Sequence, residues 1–345
     1  MISRRNLAGL ALMGALAAGA VTLAGCGKAK APGESREPNE VRFSILSTES
    51  ATSMGGYWKP ILADMEKQTG LKVKPYFSSN YTTLVTAMQF KQTEVGWFSN
   101  LPGLDAVRRA NGEVFARTFD PSGIDGYKSV LIVNAKSNLT LDKVLKCDKS
   151  LSFGIGDARS TSGTLAPITY LFAPKGIKPE TCFKTVRSGS HQNNLFSVAN
   201  GQLDVATNNS TALLLNHQRG EKESAEVRVI WESPTLPEDP IIYRRDLDPA
   251  IKEKLRQFFL TYGKGDTPEA ARQRANMAKI NIGGFKPADE THLLPVREME
   301  ATQNWLLAKE GGDQAKIDAA KKALDAITAQ RVALEARTRA PAAAQ

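Results

Sequence analysis

Residues 153–163 are Phe153-Gly154-Ile155-Gly156-Asp157-Ala158-Arg159-Ser160-Thr161-Ser162-Gly163, and they join the end of a predicted strand to a predicted helix over 164–172. The first backbone N–H groups of a helix have no partner within it and carry partial positive charge. Three consecutive hydroxyl side chains add hydrogen-bond donors at this point, which favours a binding site for a small oxyanion. The alternative is an ordinary Ser/Thr helix cap, for which one hydroxyl would be enough.

The same stretch lacks the features of two common nucleotide motifs. Gly154 and Gly156 are not followed by the third glycine of the dinucleotide fingerprint, and there is no Gly-Lys-Ser/Thr of a phosphate-binding loop. We therefore expect a small anion rather than a nucleotide, and no cofactor.

The whole chain has 345 residues, a formal net charge of +9 and 41% hydrophobic residues, which is typical of a globular protein. Its basic residues are spread along the sequence and are not interleaved with aromatic residues. We therefore predict no nucleic-acid partner. A basic chain still attracts small anions.

Residues 1–25 resemble a secretory signal peptide. Arg4 and Arg5 precede an apolar run over 7–23, and Leu23-Ala24-Gly25-Cys26 resembles a bacterial lipobox. We expect cleavage before Cys26, lipidation of its sulfur and a polar tether over 26–40, so that the exported protein is attached to the membrane by its N-terminal lipid only. A plain transmembrane anchor is the alternative. The segment 3–7 also resembles a twin-arginine export signal.

Two further cysteines, Cys147 and Cys182, would lie in an oxidising compartment. An even pair there favours a structural disulfide. A metal site is the alternative, but no histidine lies at ligand spacing from either cysteine. We therefore predict a disulfide and no metal.

Strands and helices alternate from residue 41 onwards, which predicts βαβ units and an α/β fold. We assign 41–133 plus 241–300 to a first lobe and 134–240 to a second, with chain crossings near 134 and at 234–240. Residues 301–345 form a predicted helical tail, broken at Gly311-Gly312. Ile317, Leu324 and Ile327 give this tail one apolar stripe, which usually packs on the protein's own body.

Several blocks between about residues 41 and 297 resemble the solute-binding proteins of bacterial phosphonate ABC transporters. The matching blocks are Ser47-Thr48-Glu49-Ser50, 126–134, Gly156-Asp157 with 160–163, Ser190-His191, 205–209, Trp231-Glu232-Ser233-Pro234 and Asp239-Pro240. The resemblance implies a two-lobed periplasmic solute-binding fold, with mixed sheets flanked by helices. It also implies capture of a phosphonate between the lobes and delivery to an ABC permease, without catalysis.

The resemblance also implies roles for seven residues. The phosphonate oxygens would be held by Ser160, Thr161 and Ser162, together with Tyr127 and His191, and an amine on the ligand would be met by Tyr81 and Asp239. Without the resemblance, His191 is interpreted as an ordinary surface loop residue and Asp239 as a turn residue. The two tyrosines are then interpreted as core or strand residues.

One position departs from the family pattern. That pattern has a glutamate two residues after the Asn-Asn pair, where it helps to hold the amine, whereas Asn208-Asn209 is followed here by Ser210 and Thr211. We therefore expect weaker preference for aminoalkylphosphonates, or preference for a smaller or neutral ligand such as methylphosphonate or phosphite.

The sequence leaves three alternative functions. A phosphatase or a carbon–phosphorus hydrolase would need clustered metal ligands or an activated nucleophile, whereas His191, His217 and His292 are far apart and Ser160 has no evident base. The same fold could bind phosphite, phosphate, sulfate or an organic acid. It could also serve an adhesin or a sensor.

Overall fold

The computed structural model describes residues 39–78 and 80–339. The predicted signal peptide, Cys26 and most of the tether lie outside these residues. The strands of the described part are β1 Glu40–Ile45, β2 Lys72–Phe77, β3 Val95–Trp97, β4 Gly112–Phe119, β5 Ser129–Asn134, β6 Ser152–Ile155, β7 Thr185–Ser188, β8 Val205–Asn209, β9 Val227–Glu232, β10 Pro240–Arg244 and β11 Gly284–Pro287.

Helices flank these strands. They are α1 Ala51–Thr69, α2 Tyr81–Gln89, α3 Asn100–Arg109, α4 Leu141–Val144, α5 Pro179–Cys182, α6 His191–Ala199, α7 Ser210–Gln218, α8 Pro249–Thr261, α9 Pro268–Ala278, α10 Leu294–Gly311 and α11 Gln314–Arg339. Two π-helical turns, Thr161–Leu165 and Ile168–Phe172, follow β6.

The first lobe is built on a six-stranded sheet with the order β11-β4-β10-β3-β1-β2. Strand β1 is parallel to β2 and β3, whereas β10 runs antiparallel to β3 and β4. Its core is aromatic: the Phe43 ring centroid lies 4.9 Å from that of Trp58 and 6.0 Å from that of Phe259. Such contacts add to the free energy gained by burying the rings.

The second lobe is built on a five-stranded sheet with the order β7-β6-β8-β5-β9. Phe153, Phe172 and Phe183 pack together at its core. Cys147 and Cys182 form a disulfide beside this cluster. The two mixed sheets confirm the predicted two-lobed α/β fold.

Two segments connect the lobes, and they are hydrogen-bonded to each other. The chain leaves the first sheet after Phe119, enters the second at Ser129, and returns between Glu232 and Pro240. The Tyr127 N–H donates to the Leu236 carbonyl at 3.0 Å, and the Leu236 N–H donates to the Tyr127 carbonyl at 2.7 Å.

The predicted first crossing near 134 is therefore wrong. Strand β5 pairs with β8 and β9, so residues 129–133 belong to the second lobe and not to the first. The crossing is the segment that precedes β5.

The C-terminal tail continues the first lobe without a break at residue 300. Helix α10 spans the predicted boundary and ends at Gly311, beside Gly312 in the left-handed region with φ 72°. Helix α11 packs along α10, where the Glu298 carboxylate accepts hydrogen bonds from Thr328 and Arg331. In the ranges 39–78 and 80–339, no helix combines the length and the apolar character needed to cross a membrane.

Candidate ligand-binding site

A cavity of about 70 Å³ lies between the two lobes. By this measure one buried water needs roughly 10–15 Å³, so the cavity suits a small molecule. Its walls bring together five of the seven predicted site residues: Tyr81, Tyr127, Ser162, His191 and Asp239.

The other two predicted residues, Ser160 and Thr161, lie directly beside this cavity. The Ser160 side chain lines an adjoining pocket, which Tyr81 and His191 also line. It also accepts the Gly163 N–H at 2.9 Å. Ser160 is thus the Ser/Thr helix cap that was the alternative for this stretch, whereas Ser162 faces the cavity.

The hydroxyl turn, residues 160–163, is fixed by β6, β5 and β8. The Gly156 N–H donates to the Gly163 carbonyl at 2.9 Å, and the Thr207 hydroxyl donates to the same carbonyl at 2.8 Å. The Ser129 hydroxyl donates to the Ser162 carbonyl at 2.5 Å. The helical turn begins at Thr161 rather than at the predicted residue 164, so the hydroxyls lie within its first turn.

Thr161 joins the lobes. Its hydroxyl is 2.7 Å from the Ser99 hydroxyl and accepts the Leu101 N–H at 2.8 Å. Ser99 and Leu101 lie at the start of α3 in the first lobe. The N-terminal ends of two helical segments, one from each lobe, therefore meet beside the cavity, and each carries partial positive charge.

His191 begins α6 and is 4% exposed. Its Nε2 lies 3.3 Å from the Ser162 hydroxyl, while its Nδ1 has no hydrogen-bond partner among the described residues. Burial lowers the pKa of His191 to about 4, so the ring is neutral at pH 7. A neutral ring can still donate one hydrogen bond.

Asp239 lies on the other side of the cavity, just before β10. The Asn100 side-chain amide donates to its Oδ1 at 3.4 Å. Burial, and then the neighbouring carboxyl of Glu238, raise the pKa of Asp239 well above its usual value. Burial therefore disfavours the charged carboxylate, the form that would repel an anionic ligand.

Glu238 is a cavity residue that the sequence analysis did not assign. Its Oε2 accepts the Thr118 hydroxyl at 3.0 Å, and burial raises its pKa to about 7. Its position next to Asp239 in the sequence was the available signal. Ser99 was missed as well, although a serine directly before a predicted helix start is a common N-cap.

A Glu238→Gln variant should gain stability relative to wild type as pH rises. The folded-state pKa of Glu238 is raised, so wild type loses stability between about pH 4.5 and about pH 7, where the folded state holds the extra proton. Glutamine cannot ionise, so the variant does not lose this stability. The difference in free energy of unfolding between variant and wild type should grow by ~1–3 kcal/mol between pH 5 and pH 8, at ~1.4 kcal/mol per unit of pKa shift. Urea unfolding at both pH values measures this, with Glu66→Gln at an exposed position as control. Equal advantages at the two pH values would contradict the prediction.

The remaining cavity wall is part apolar and part polar. It includes Met54, Leu215, Ile280 and Ile282, with Thr211 in the first turn of α7. The position that carries a glutamate in the family pattern therefore faces the cavity with a neutral hydroxyl.

The family model described as ABC transporter, phosphonate, periplasmic substrate-binding protein matches residues 43–293. The chain belongs to this family.

Known proteins agree with this assignment. The phosphonates-binding periplasmic protein of Escherichia coli strain K12 is 40% identical over 260 residues, which cover 75% of each chain. A solved binding-protein component of an ABC phosphonate transporter from Pseudomonas aeruginosa is 35% identical, with a TM-score of 0.81, covering 86% of this chain and 99% of its own. A probable ABC transporter phosphite-binding protein of Prochlorococcus marinus is 28% identical over 225 residues, covering 63% of this chain and 69% of its own.

Membership of this phosphonate-binding family makes the chain a periplasmic substrate-binding component of an ABC transporter. Such a component captures its ligand between two lobes and delivers it to a permease, and it is not normally an enzyme. In the described part of the chain, no group of three or more His, Cys, Asp or Glu side chains is placed to hold a metal ion.

Proposed function

We propose that the cavity between the lobes holds one phosphonate, with its oxygens at the hydroxyl turn and its carbon substituent along α7. The observation that supports this proposal is the set of hydrogen-bond donors in the cavity wall. Ser162 and the neutral His191 face Tyr81 and Tyr127 across the cavity, and no lysine or arginine is among the described residues that line it. Neutral donors beside two helix starts can bind an oxyanion without full positive charges.

In this arrangement Ser162, His191 and Tyr127 donate to the phosphonate oxygens. Tyr81 contacts the ligand from the wall that the cavity shares with the adjoining pocket, Ser160 lies in that pocket, and Thr161 fixes the turn against the first lobe. Asp239 contacts the substituent on phosphorus.

Calorimetric titration of the purified protein tests this function. The ligands are methylphosphonate, n-propylphosphonate, 2-aminoethylphosphonate, phosphite, phosphate and sulfate. We expect tight binding of at least one phosphonate and much weaker binding of phosphate and sulfate. Binding of phosphate or sulfate alone would overturn the proposal.

Phosphite is the second candidate ligand. The small cavity and the relative named as a probable phosphite-binding protein both favour it. Binding of phosphite ahead of every phosphonate in the same titrations would select this candidate.

A Thr211→Glu variant should bind 2-aminoethylphosphonate at least tenfold more tightly than wild type. Thr211 faces the cavity from the first turn of α7, where a carboxylate interacts favourably with the helix dipole and could pair with the ligand ammonium. Titration of both proteins measures the gain, and methylphosphonate serves as the neutral control ligand. Unchanged affinity for the amine would contradict this prediction.

We also propose that the mature chain begins at a lipid-modified Cys26, after a signal peptide over 1–25 and before a tether over 26–40. The support is the lipobox-like Leu23-Ala24-Gly25-Cys26 sequence, and the mass of the protein extracted from membranes tests it. A mature chain that starts elsewhere, or that carries no lipid, would contradict it.

A further inference from the structure

One arginine of the second lobe is held by three groups of the first lobe. Arg219 directly follows α7, and its Nη1 lies 2.7 Å from Glu49 Oε1. Its Nη2 donates to the Lys279 carbonyl at 2.9 Å, and its guanidinium carbon lies 4.5 Å above the centroid of the Tyr57 ring. Glu49 and Arg219 are mostly buried, with side-chain exposures of 11% and 20%. This pair is therefore fixed rather than a loose surface contact.

Glu49 also forms part of the cavity wall, and the course of α7 shows where along the cavity it lies. The N-terminal end of α7 is near the hydroxyl turn, because Ser129 pairs with Asn209 and its hydroxyl donates to the Ser162 carbonyl. Arg219 lies eight residues beyond Thr211, or roughly 12 Å along the helix axis at ~1.5 Å per residue. The Arg219 backbone thus lies toward the end of the cavity away from the hydroxyl turn, and its side chain contacts the Glu49 carboxylate.

The cavity wall around Glu49 combines apolar side chains with uncharged polar ones, such as Asn216 and Asn281. Leu215, Ile280 and Ile282 contribute to the same wall. An unpaired carboxylate in such surroundings attracts a cation strongly, because little water is present to screen it. Here the guanidinium of Arg219 lies against Glu49, with the more exposed Glu221 3.9 Å from the same Nη1, so the negative charge that Glu49 presents to the ligand is reduced.

We propose that Arg219 determines the charge of the ligand tail that the cavity accepts, by neutralising Glu49. With Arg219 present, the far end of the cavity favours an uncharged alkyl tail. Without Arg219, the carboxylate of Glu49 is available to an ammonium, and the same site favours an aminoalkyl tail. This inference rests on the proposed phosphonate-binding function and names the residues that select the substrate class.

A purely mechanical role for the pair predicts a different result. If Arg219 only holds the lobes together, its removal weakens all ligands by the same factor. The ratio of affinities for two ligands of equal size separates the two roles. The pair n-propylphosphonate and 2-aminoethylphosphonate suits this purpose, because the tails have the same number of heavy atoms and differ in a terminal methyl or ammonium group.

The experiment is titration of both ligands into wild type, Arg219→Met, Glu49→Gln and the double variant, with thermal unfolding as a check on folding. Arg219→Met should shift the affinity ratio at least tenfold toward 2-aminoethylphosphonate. Glu49→Gln leaves Arg219 with only the more distant Glu221, 3.9 Å away, as its carboxylate partner, so it should shift the ratio at least threefold toward n-propylphosphonate. The double variant should return the ratio to within threefold of wild type.

Arg159→Met is the matched control. Arg159 is also an arginine of the second lobe bound to a carboxylate of the first, with its Nη2 2.5 Å from Asp105 Oδ2, but neither residue lines the cavity. The Arg159→Met variant should leave the ratio of the two affinities unchanged within twofold. An unchanged ratio in both Arg219→Met and Glu49→Gln would overturn the inference. Failure of both phosphonates to bind wild type, with phosphate or sulfate bound instead, would overturn the proposed function.

Discussion

A Ser162→Asp variant should bind phosphonates about a thousandfold more weakly than wild type. Ser162 is 3% exposed, lines the cavity and lies 3.3 Å from His191 Nε2. Aspartate would replace a hydroxyl donor with a negative charge beside the ligand. Two like charges ~4 Å apart repel by ~4 kcal/mol at an effective dielectric constant of ~20. Because ~1.4 kcal/mol is a factor of ten, this corresponds to roughly three orders of magnitude in Kd.

Thr267→Asp is the control for the added charge. Thr267 caps α9 in the first lobe, and its hydroxyl accepts the Ala270 N–H at 3.1 Å. Aspartate is also a favourable N-cap residue, so this variant should keep the affinity of wild type. Calorimetric titration with methylphosphonate measures both variants. Binding by Ser162→Asp within tenfold of wild type would show that the phosphonate does not sit at the hydroxyl turn.

A Gly156→Ala variant should lose at least a hundredfold in affinity while still folding. A Cβ at position 156 would lie 2.6 Å from the Gly163 Cα and 2.8 Å from its carbonyl carbon. Both atoms belong to the backbone of the hydroxyl turn, so the turn itself must move. Overpacking of this kind typically costs ~1–3 kcal/mol of stability. Displacing donors by a fraction of an ångström weakens every hydrogen bond that they make to the ligand.

Gly56→Ala is the matched control for this substitution. Gly56 lies in α1, where a new Cβ would have no neighbour within 4 Å. Alanine in a helix interior is usually more favourable than glycine by roughly 0.5–1 kcal/mol, so this variant should be at least as stable as wild type and bind equally well. Titration and thermal unfolding compare the two variants. Normal ligand affinity in Gly156→Ala would contradict the proposed role of the turn.

The local part of the site could be predicted from sequence, because it is contiguous. Residues 160–163 form one turn, and a strand followed by hydroxyls and a helix is a short-range pattern. The turn hydroxyls nevertheless differ in position. Ser162 faces the cavity, whereas Thr161 contacts Ser99 of the other lobe. The sequence could not separate these roles, since they depend on how the lobes close.

Sheet membership could not be predicted in the same way. The segment 126–134 contains a continuous apolar run, which favours a strand but does not indicate which sheet the strand joins. Its partners, β8 and β9, lie roughly 75 to 100 residues further along the chain. Strand β4 was not assigned at all, although it pairs with both β10 and β11 in the first sheet. These pairings are set by long-range contacts that a local pattern does not contain.

Non-local contacts also explain the cavity residues that were missed. Glu49 was noted only as part of a matching block, yet its partner Arg219 lies 170 residues away. Glu238 and Thr118 meet across a separation of 120 residues. In each case the chemistry of the side chain was visible in the sequence, but its place in the cavity depends on how the lobes and their connecting segments fold together.

The most direct test of the account is a crystal structure of the protein with n-propylphosphonate bound. The account predicts phosphonate oxygens within hydrogen-bonding distance, roughly 2.5–3.2 Å, of the Ser162 hydroxyl and of His191, with the propyl group lying along α7 toward Glu49. A ligand bound in the reverse direction, with its phosphonate beside Arg219, would contradict the account. So would a phosphonate bound outside the cavity between the lobes.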